Sequence, residues 1–220
     1  MGIGDHDLDE IKKIMSSFQG KIKKCAILGD CNFHYTGGSK KHFKQMFDFE
    51  ILDTFDIFGN PDYKLDLQKK LGNEFERKYD LIIDPGTLPC IFDVPACLRN
   101  VLFMLKNYGV VFHKSNLVGH FGRTFYALSP SFYNEFYRGN NCDILKMGYA
   151  LKRSGDAWIE MPIGKHYLQY SDGNKLIWGN KGTLTSLIPC DSHIMCVARK
   201  KENNEFNSPL PEHYKRTDGK

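Results

Sequence analysis

The sequence lacks a long apolar run. No stretch approaches the roughly 20 apolar residues that a membrane-spanning helix needs, and the first part of the chain has no apolar core of the kind that secretory signals carry. The seven cysteines are scattered, odd in number and without a C-x-x-C pair, which indicates neither a zinc site nor a full set of disulfides. We therefore expect a cytoplasmic protein with reduced thiols, no membrane partner and no bound metal.

The familiar phosphate-binding motifs are also missing. There is no G-x-G-x-x-G and no G-x-x-x-x-G-K-[ST], which argues against classical dinucleotide binding and against a P-loop. The formal net charge of +4 is a mild excess, and the aromatic residues of the second half are not interleaved with basic ones. A nucleic-acid partner is therefore not expected.

What the chain does contain is the composition of an ordinary globular protein. Its 220 residues, 41% hydrophobic and 25% charged, suit a single domain over residues 1–220. Apolar residues at helical spacing predict an N-terminal helix within residues 1–20, which packs against the edge of the domain or, as an alternative, covers a pocket or binds a partner. We expect residues 152–182 to form an insertion that caps a pocket, and residues 200–220 to form a polar tail.

The most regular stretch predicts a strand, a helix and a second strand between residues 79 and 131. Residues 81–83 form a buried strand that stops at Asp84, where Pro85 and Gly86 follow. Asp93 has the position of an N-cap, residues 107–109 end the helix, and residues 110–113 begin the next strand. Strands joined in this way lie parallel in one sheet, and ligands bind beyond their carboxyl ends.

Two earlier strands are predicted, each with an acidic residue close to its end. Residues 21–28 form the first, which turns sharply at Gly29-Asp30, and residues 49–53 form the second, which ends at Asp53. An acid about 20 residues after a glycine turn is placed to accept hydrogen bonds from ribose hydroxyls, although an aspartate that caps a turn looks the same. Asp66 is a second acid near the same edge.

Three spaced segments carry a family resemblance: ILD…DIFG…DLQ, YDLIIDPGTL…FDVPACLRNVLFMLKNYGVVFH, and GHFGRTFYALSPSFYNEFY. Together, over roughly residues 22–145, they resemble class I S-adenosylmethionine-dependent methyltransferases, and within them a group of bacterial methyltransferase-like proteins that act on sugars and other small molecules. The resemblance implies an α/β fold, with a doubly wound, mostly parallel, seven-stranded Rossmann-like sheet. It also implies helices on both faces of the sheet and an antiparallel last strand, at residues 193–199.

The same resemblance assigns residues to the cofactor, S-adenosyl-L-methionine. Gly29 and Asp30 would lie against its methionine end, and Asp53 would hold the ribose hydroxyls. Asp66 and Leu67 would face the adenine. Asp84, Gly86 and Thr87 would line the cofactor just past the central strand. The chain departs from the family pattern at ILGDCNFHYTGG, which replaces closely spaced glycines, and at Pro89-Cys90, which replaces an acid-histidine pair.

Two histidines are candidates for a catalytic base. His120 lies between glycines in a loop that the resemblance places on the substrate side, and an imidazole that titrates near neutrality can remove a proton from a hydroxyl. An exposed loop histidine without a role is the alternative. His113 ends a strand and is equally compatible with a buried, hydrogen-bonded side chain.

The sequence thus predicts a methyltransferase that acts on a small-molecule acceptor, through a hydroxyl of a sugar or another metabolite. DNA fits less well as an acceptor because no N/D-P-P-Y/F motif follows the central strand, where the chain reads Asp84-Pro85-Gly86-Thr87. The alternative is a catalytically degenerate binding or assembly module with the same fold, which the altered first turn and Pro89-Cys90 favour. The sequence leaves open whether the chain forms a homo-oligomer.

Overall fold

The computed structural model describes residues 2–18, 22–119, 122–151, 158–161, 171–172, 175–177, 184–187, 192–202 and 206–209. The strands, in chain order, are β1 (Gly2–Gly4), β2 (Lys24–Leu28), β3 (Asn32–His34), β4 (Ile51–Asp56), β5 (Tyr63–Lys64), β6 (Tyr79–Asp84), β7 (Leu105–Val118), β8 (Cys142–Leu151), β9 (Ile159–Glu160), β10 (Ser171–Asp172), β11 (Lys175–Ile177), β12 (Leu184–Leu187) and β13 (Ser192–Lys200). The helices are α1 (Asp5–Ser17), α2 (Lys40–Met46), α3 (Val94–Met104) and α4 (Pro130–Gly139).

Eight of the described strands form the main sheet, in the order β5-β4-β2-β6-β7-β13-β8-β9. The first five are parallel to their neighbours, and β13 is antiparallel to both β7 and β8. The predicted doubly wound, mostly parallel sheet with an antiparallel last strand is therefore confirmed. The count differs from the predicted seven because the two-residue strand β9 extends the edge beside β8.

Helices cover both faces of this sheet, as predicted. One buried cluster includes Leu98 of α3 and Tyr133 of α4, and the cluster on the other face includes Ile11 of α1 and Phe43 of α2. Three of the helices begin at a side-chain cap: Ser39, Asp93 and Ser129 accept hydrogen bonds from backbone N–H groups three residues later, at 3.1, 3.0 and 3.2 Å. The parallel strands in between are buried on both sides.

The end of α3 differs from the prediction. The helix stops at Met104, and β7 starts at once, so the predicted stop at residues 107–109 falls inside the strand. The last helical carbonyls have partners from elsewhere in the chain: Arg77 N donates to Phe103 O at 2.9 Å, and Lys200 Nζ donates to Leu102 O at 2.7 Å. Because these donors replace the usual C-terminal glycine, the helix needs no local stop signal.

The N-terminal helix packs on a face of the sheet rather than on its edge. Lys114 of β7 donates to Asp7 of α1 and, at 2.9 Å, to Gly2 O, and Lys146 of β8 pairs with Glu10 at 2.7 Å. Ahead of α1, β1 pairs in parallel with β3, in the loop that follows β2. The first residues of the chain are thereby fixed beside that loop.

The predicted insertion and tail lie largely outside the described residues. Of residues 152–182, the structure describes β9 and the two strands β10 and β11, which form a small antiparallel sheet with β12. Of the predicted tail, it describes residues 200–202 and 206–209. None of the helices in the described segments combines the length and the apolar character that crossing a membrane requires.

Candidate functional site

The carboxyl ends of β2 and β4 are joined by hydrogen bonds from two backbone N–H groups. Gly29, with φ at +94°, directs its N–H to Phe55 O at 2.6 Å. The next N–H, of Asp30, donates to Asp56 Oδ2 at 2.7 Å. A residue with a side chain adopts this backbone conformation only at a cost, so glycine is required at position 29 by the turn itself.

Asp56 is the acid that ends β4. Its Oδ1 accepts from Phe58 N at 3.0 Å and its Oδ2 from Asp30 N, so two of about four acceptor positions of the carboxylate are used by the turn. The side chain is half-buried, and Phe58 beside it is 72% exposed. We call Gly29, Asp30, Asp56 and Gly86 the carboxyl rim.

Asp53 lies in the middle of β4, opposite Ala26 of β2, and not at the strand end where the sequence predicted it. Its Oδ2 accepts from Lys78 Nζ at 2.9 Å and from the Tyr79 hydroxyl at 2.7 Å. Burial, together with the bond to this carboxylate, raises the pKa of Tyr79. The prediction that Asp53 ends the strand is therefore wrong: β4 runs three residues further, to Asp56.

The carboxylate of Asp84 is turned into the protein and has no exposed surface. Its Oδ1 accepts from the backbone N–H groups of Gly86, Thr87 and Leu88, at 3.1, 2.7 and 3.2 Å. Its Oδ2 lies 2.8 Å from His113 Nδ1. With four nitrogen partners inside the fold, the Asp84 carboxylate shapes the turn after the central strand and has no exposed surface with which to line a cofactor, the role that the sequence predicts for it.

His113 is fully buried, with both ring nitrogens engaged. The Nδ1 atom is hydrogen-bonded to the Asp84 carboxylate, and Nε2 is hydrogen-bonded to the Tyr137 hydroxyl. Burial raises the pKa of Tyr137 well above its usual value, which keeps the phenol protonated as a donor. His113 links β6, β7 and α4, and its predicted catalytic role is contradicted by this burial.

Thr87 and Gly86 have different environments. The hydroxyl of Thr87 donates to Leu28 O at 2.6 Å and is buried, so this side chain ties the central turn to β2 and is not presented to a ligand. Gly86 is half-buried and has φ at +114°. Of the residues predicted just past the central strand, Gly86 alone belongs to the carboxyl rim.

Asp66 and Leu67 follow β5. Asp66 Oδ1 accepts from the backbone and side-chain nitrogens of Gln68, at 2.9 and 3.1 Å, and the backbone bond is the main reason why its pKa lies below the usual value. Leu67 is 4% exposed and packs in the core, while its carbonyl accepts from Asn100 Nδ2 at 2.8 Å. Asp66 remains a candidate for the adenine, whereas the side chain of Leu67 has a packing role.

Two loops meet beyond β6 and β7. Phe125 N donates to Pro89 O at 2.9 Å, and Asn116 Nδ2 donates to Thr124 Oγ1 at 2.8 Å. His120 lies outside the described residues, so its predicted catalytic role stays a prediction. Among the residues that the structure describes, no three His, Cys, Asp or Glu side chains converge as a metal site would require.

Sequence reasoning missed Asp56 as the strand-ending acid. The signal that identifies it is the cluster of turn formers Gly59, Asn60 and Pro61, which begins three residues after Asp56 but six residues after Asp53. Phe92 and Phe125 are 68% and 63% exposed, and no sequence pattern described above indicates this exposure.

Neither the models of protein families nor the curated proteins gave a match to this sequence. Solved structures do match. StiE O-MT, residues 961–1257, is 14% identical over 89% of this chain and 75% of its own, with a TM-score of 0.54. The Burkholderia thailandensis 1,6-didemethyltoxoflavin-N1-methyltransferase, with bound 1,6-didemethyltoxoflavin and S-adenosylhomocysteine, is 12% identical over 90% of this chain and 80% of its own, with a TM-score of 0.53.

A third similar structure is the N-methyltransferase NodS from Bradyrhizobium japonicum WM9, in complex with S-adenosylhomocysteine. It is 10% identical over 90% of this chain and 89% of its own, with a TM-score of 0.51. These similarities confirm that the chain has the fold of class I methyltransferases.

Proposed function

We propose that the chain is an S-adenosylmethionine-dependent methyltransferase that acts on a small molecule, at a hydroxyl of a sugar or another metabolite. The observation that carries the proposal is the junction at the carboxyl rim, where the tight turn at Gly29 brings Asp30 N to 2.7 Å from Asp56 Oδ2. In a doubly wound sheet, this edge is where nucleoside ligands bind.

The chemistry of the rim fits the nucleoside of this cofactor. Asp56 keeps about two acceptor positions for the ribose hydroxyls, since Asp30 N and Phe58 N use the other two. The exposed ring of Phe58 offers a flat apolar surface to the adenine, and Asp66 has a second carboxylate oxygen to accept from the adenine amino group. Gly29 and Gly86 present backbone without a Cβ where the ligand chain would approach.

The cofactor supplies an electrophilic methyl group, and the protein aligns the acceptor with it and excludes water. A hydroxyl acceptor needs a group that takes its proton as the new bond forms. Asp84 and His113 do not serve, because both are buried and hydrogen-bonded to each other. His120, on the loop between β7 and α4, is the residue that we propose for this step.

The second candidate is a degenerate binding or assembly module. The loop after Gly29 favours it, because Asp30 Oδ2 accepts from Asn60 N at 3.1 Å and closes part of the rim with the protein's own groups. Titration calorimetry with S-adenosylhomocysteine separates the two. A methyltransferase binds this product, and Asp56→Asn weakens the binding, whereas the module shows no heat of binding.

A further inference from the structure

We propose that the methyl acceptor is a flat, uncharged aromatic molecule, held against a pair of exposed rings at the end of the main sheet. The inference rests on the proposed function and narrows its substrate class. The rings belong to Phe92, after β6, and Phe125, after β7, and together with Tyr126 we call them the aromatic patch. Their exposed fractions are 68%, 63% and 38%.

The patch is held in place by hydrogen bonds to backbone carbonyls. Phe125 N and Tyr126 N both donate to Pro89 O, at 2.9 and 3.3 Å, and the Tyr126 hydroxyl donates to Phe92 O at 3.1 Å. The rings of Phe92 and Phe125 meet edge to face, with centroids 5.5 Å apart. A surface that is fixed before binding loses little conformational entropy when a ligand covers it.

The patch follows β6 and β7, whereas the proposed ribose site follows β4, on the other side of β2. Cys90, which precedes it, directs its thiol toward Gly86 O at 3.9 Å, so the patch continues from the central turn. In the sheet, β4 lies on one side of β2 and the strands β6 and β7 lie on the other. A nucleoside bound at Asp56 would therefore not cover the patch, and the methyl acceptor could bind there.

The chemistry of the patch indicates an aromatic occupant. Its three side chains carry no charge, and its single hydroxyl already donates to Phe92 O. A ring that stacks on or abuts Phe125 needs no further polar partner, whereas each hydroxyl of a sugar does.

The size of the patch favours a small molecule over a protein. With about 150–250 Å² on each aromatic side chain, the exposed fractions given above leave roughly 250–420 Å² for contact. That area is typical of the largest functional patch on a monomer. It falls short of the roughly 800 Å² per partner of a stable protein interface.

The test is ligand-observed NMR on the full chain, with 2-naphthol and methyl glucoside as probes, each with and without S-adenosylhomocysteine. The proposal expects saturation transfer to 2-naphthol and none to the glucoside. It also expects Phe92→Leu and Phe125→Leu to weaken naphthol binding at least fivefold. The control is Tyr108→Asn, which removes a 59%-exposed ring elsewhere, at a φ of +64° that asparagine tolerates; this variant should bind naphthol as the unaltered chain does.

Three results would overturn the proposal: binding of the glucoside in place of naphthol, naphthol binding that Phe125→Leu leaves unchanged, or self-association that Phe92→Leu abolishes. The last is measured by light scattering against concentration and would assign the patch to a second copy of the chain. The naphthol titration without S-adenosylhomocysteine tests whether the patch binds an aromatic ring, independently of the cofactor. A failure of the proposed function appears separately, as absent binding of S-adenosylhomocysteine with naphthol binding intact.

Discussion

Asp84 and His113 form a fully buried hydrogen-bonded pair, with 2.8 Å between Oδ2 and Nδ1, directly beneath the carboxyl rim. The pair joins the end of β6 to the interior of β7, and through Tyr137 it reaches α4. Because the pair lies beneath the rim and is fully buried, it supports the site without touching a ligand. The residues of the rim itself are the ones that a ligand can reach.

Removal of one partner of this pair should destabilise the fold strongly. His113→Ala leaves Asp84 and the Tyr137 hydroxyl without their buried partner, and we expect a loss of about 3–5 kcal/mol in the free energy of unfolding. Urea denaturation followed by circular dichroism measures it. A stable but inactive His113→Ala protein would contradict the structural role and restore His113 as a catalytic candidate.

The pair of Asp53 and Lys78 gives a prediction for alkaline pH. Burial alone would lower the pKa of Lys78, but its bonds to Asp53 and Tyr63 outweigh burial and hold the pKa above the usual 10.5. The charged amine is therefore favoured by folding, so its contribution is complete below pH 10.5 and is lost as the pH rises through the higher folded value.

The measurement compares urea unfolding of Asp53→Asn with that of the unaltered chain at several pH values. We expect the variant to be less stable by about 1–2 kcal/mol at neutral pH, and the difference to shrink above pH 10.5. A difference that grows in alkali would show that the pair does not stabilise the charged lysine.

The anchor between α1 and the sheet gives a prediction for acidic pH. Burial alone would raise the pKa of Glu10, but its bonds to Lys13 and Lys146 outweigh it and hold the pKa below the usual 4.5. The stabilisation is therefore present above pH 4.5 and is lost as the pH falls through the lower folded value. Glu10→Gln should cost about 1–2 kcal/mol at neutral pH.

The matched control for Glu10 is Asp9→Asn on the same helix. Asp9 pairs with Lys12 at 3.5 Å, and both side chains are more than half exposed, so its loss should change stability by less than about 0.5 kcal/mol. Thermal unfolding of both variants at neutral and acidic pH tests the pair. Equal effects of the two substitutions would show that the Glu10–Lys146 contact does not anchor the helix.

Substitution of Gly29, in the turn after β2, should weaken cofactor binding in addition to straining the backbone. Gly29→Ala strains a backbone at φ +94° in the rim, whereas Gly122→Ala strains one at φ +76° with open space around it. Both substitutions should cost about 1–3 kcal/mol of local strain, but only the first should weaken S-adenosylhomocysteine binding. Equal affinities of the two variants would remove Gly29 from the site.

The centre of the sheet was predictable from the sequence because β6 contains a continuous apolar run and the helix after it has a clear N-cap. Residues 81–83 and the Asp93 cap are signals of this local kind. The end of α3 was not predictable, since the donors that satisfy its last carbonyls, Arg77 N and Lys200 Nζ, come from distant parts of the chain.

The roles of the acids were harder to predict than their positions. Asp53 and Asp56 flank Thr54 and Phe55, which suit a strand, so composition alone did not fix where β4 ends. Asp84 does end its strand as predicted, but the direction of its side chain depends on His113, a partner 29 residues away in the chain. Local patterns thus place acids at a sheet edge without showing which of them face a ligand.

We propose that Asp56, at the end of β4, holds the ribose of the cofactor, and that Asp53 does not. Titration calorimetry with S-adenosylhomocysteine on the unaltered chain, Asp56→Asn and Asp53→Asn tests it most directly. We expect binding by the unaltered chain, a loss of roughly 10- to 100-fold for Asp56→Asn, or about 1.4–2.8 kcal/mol, and unchanged affinity for Asp53→Asn. Affinity that survives Asp56→Asn but falls with Asp53→Asn would contradict it.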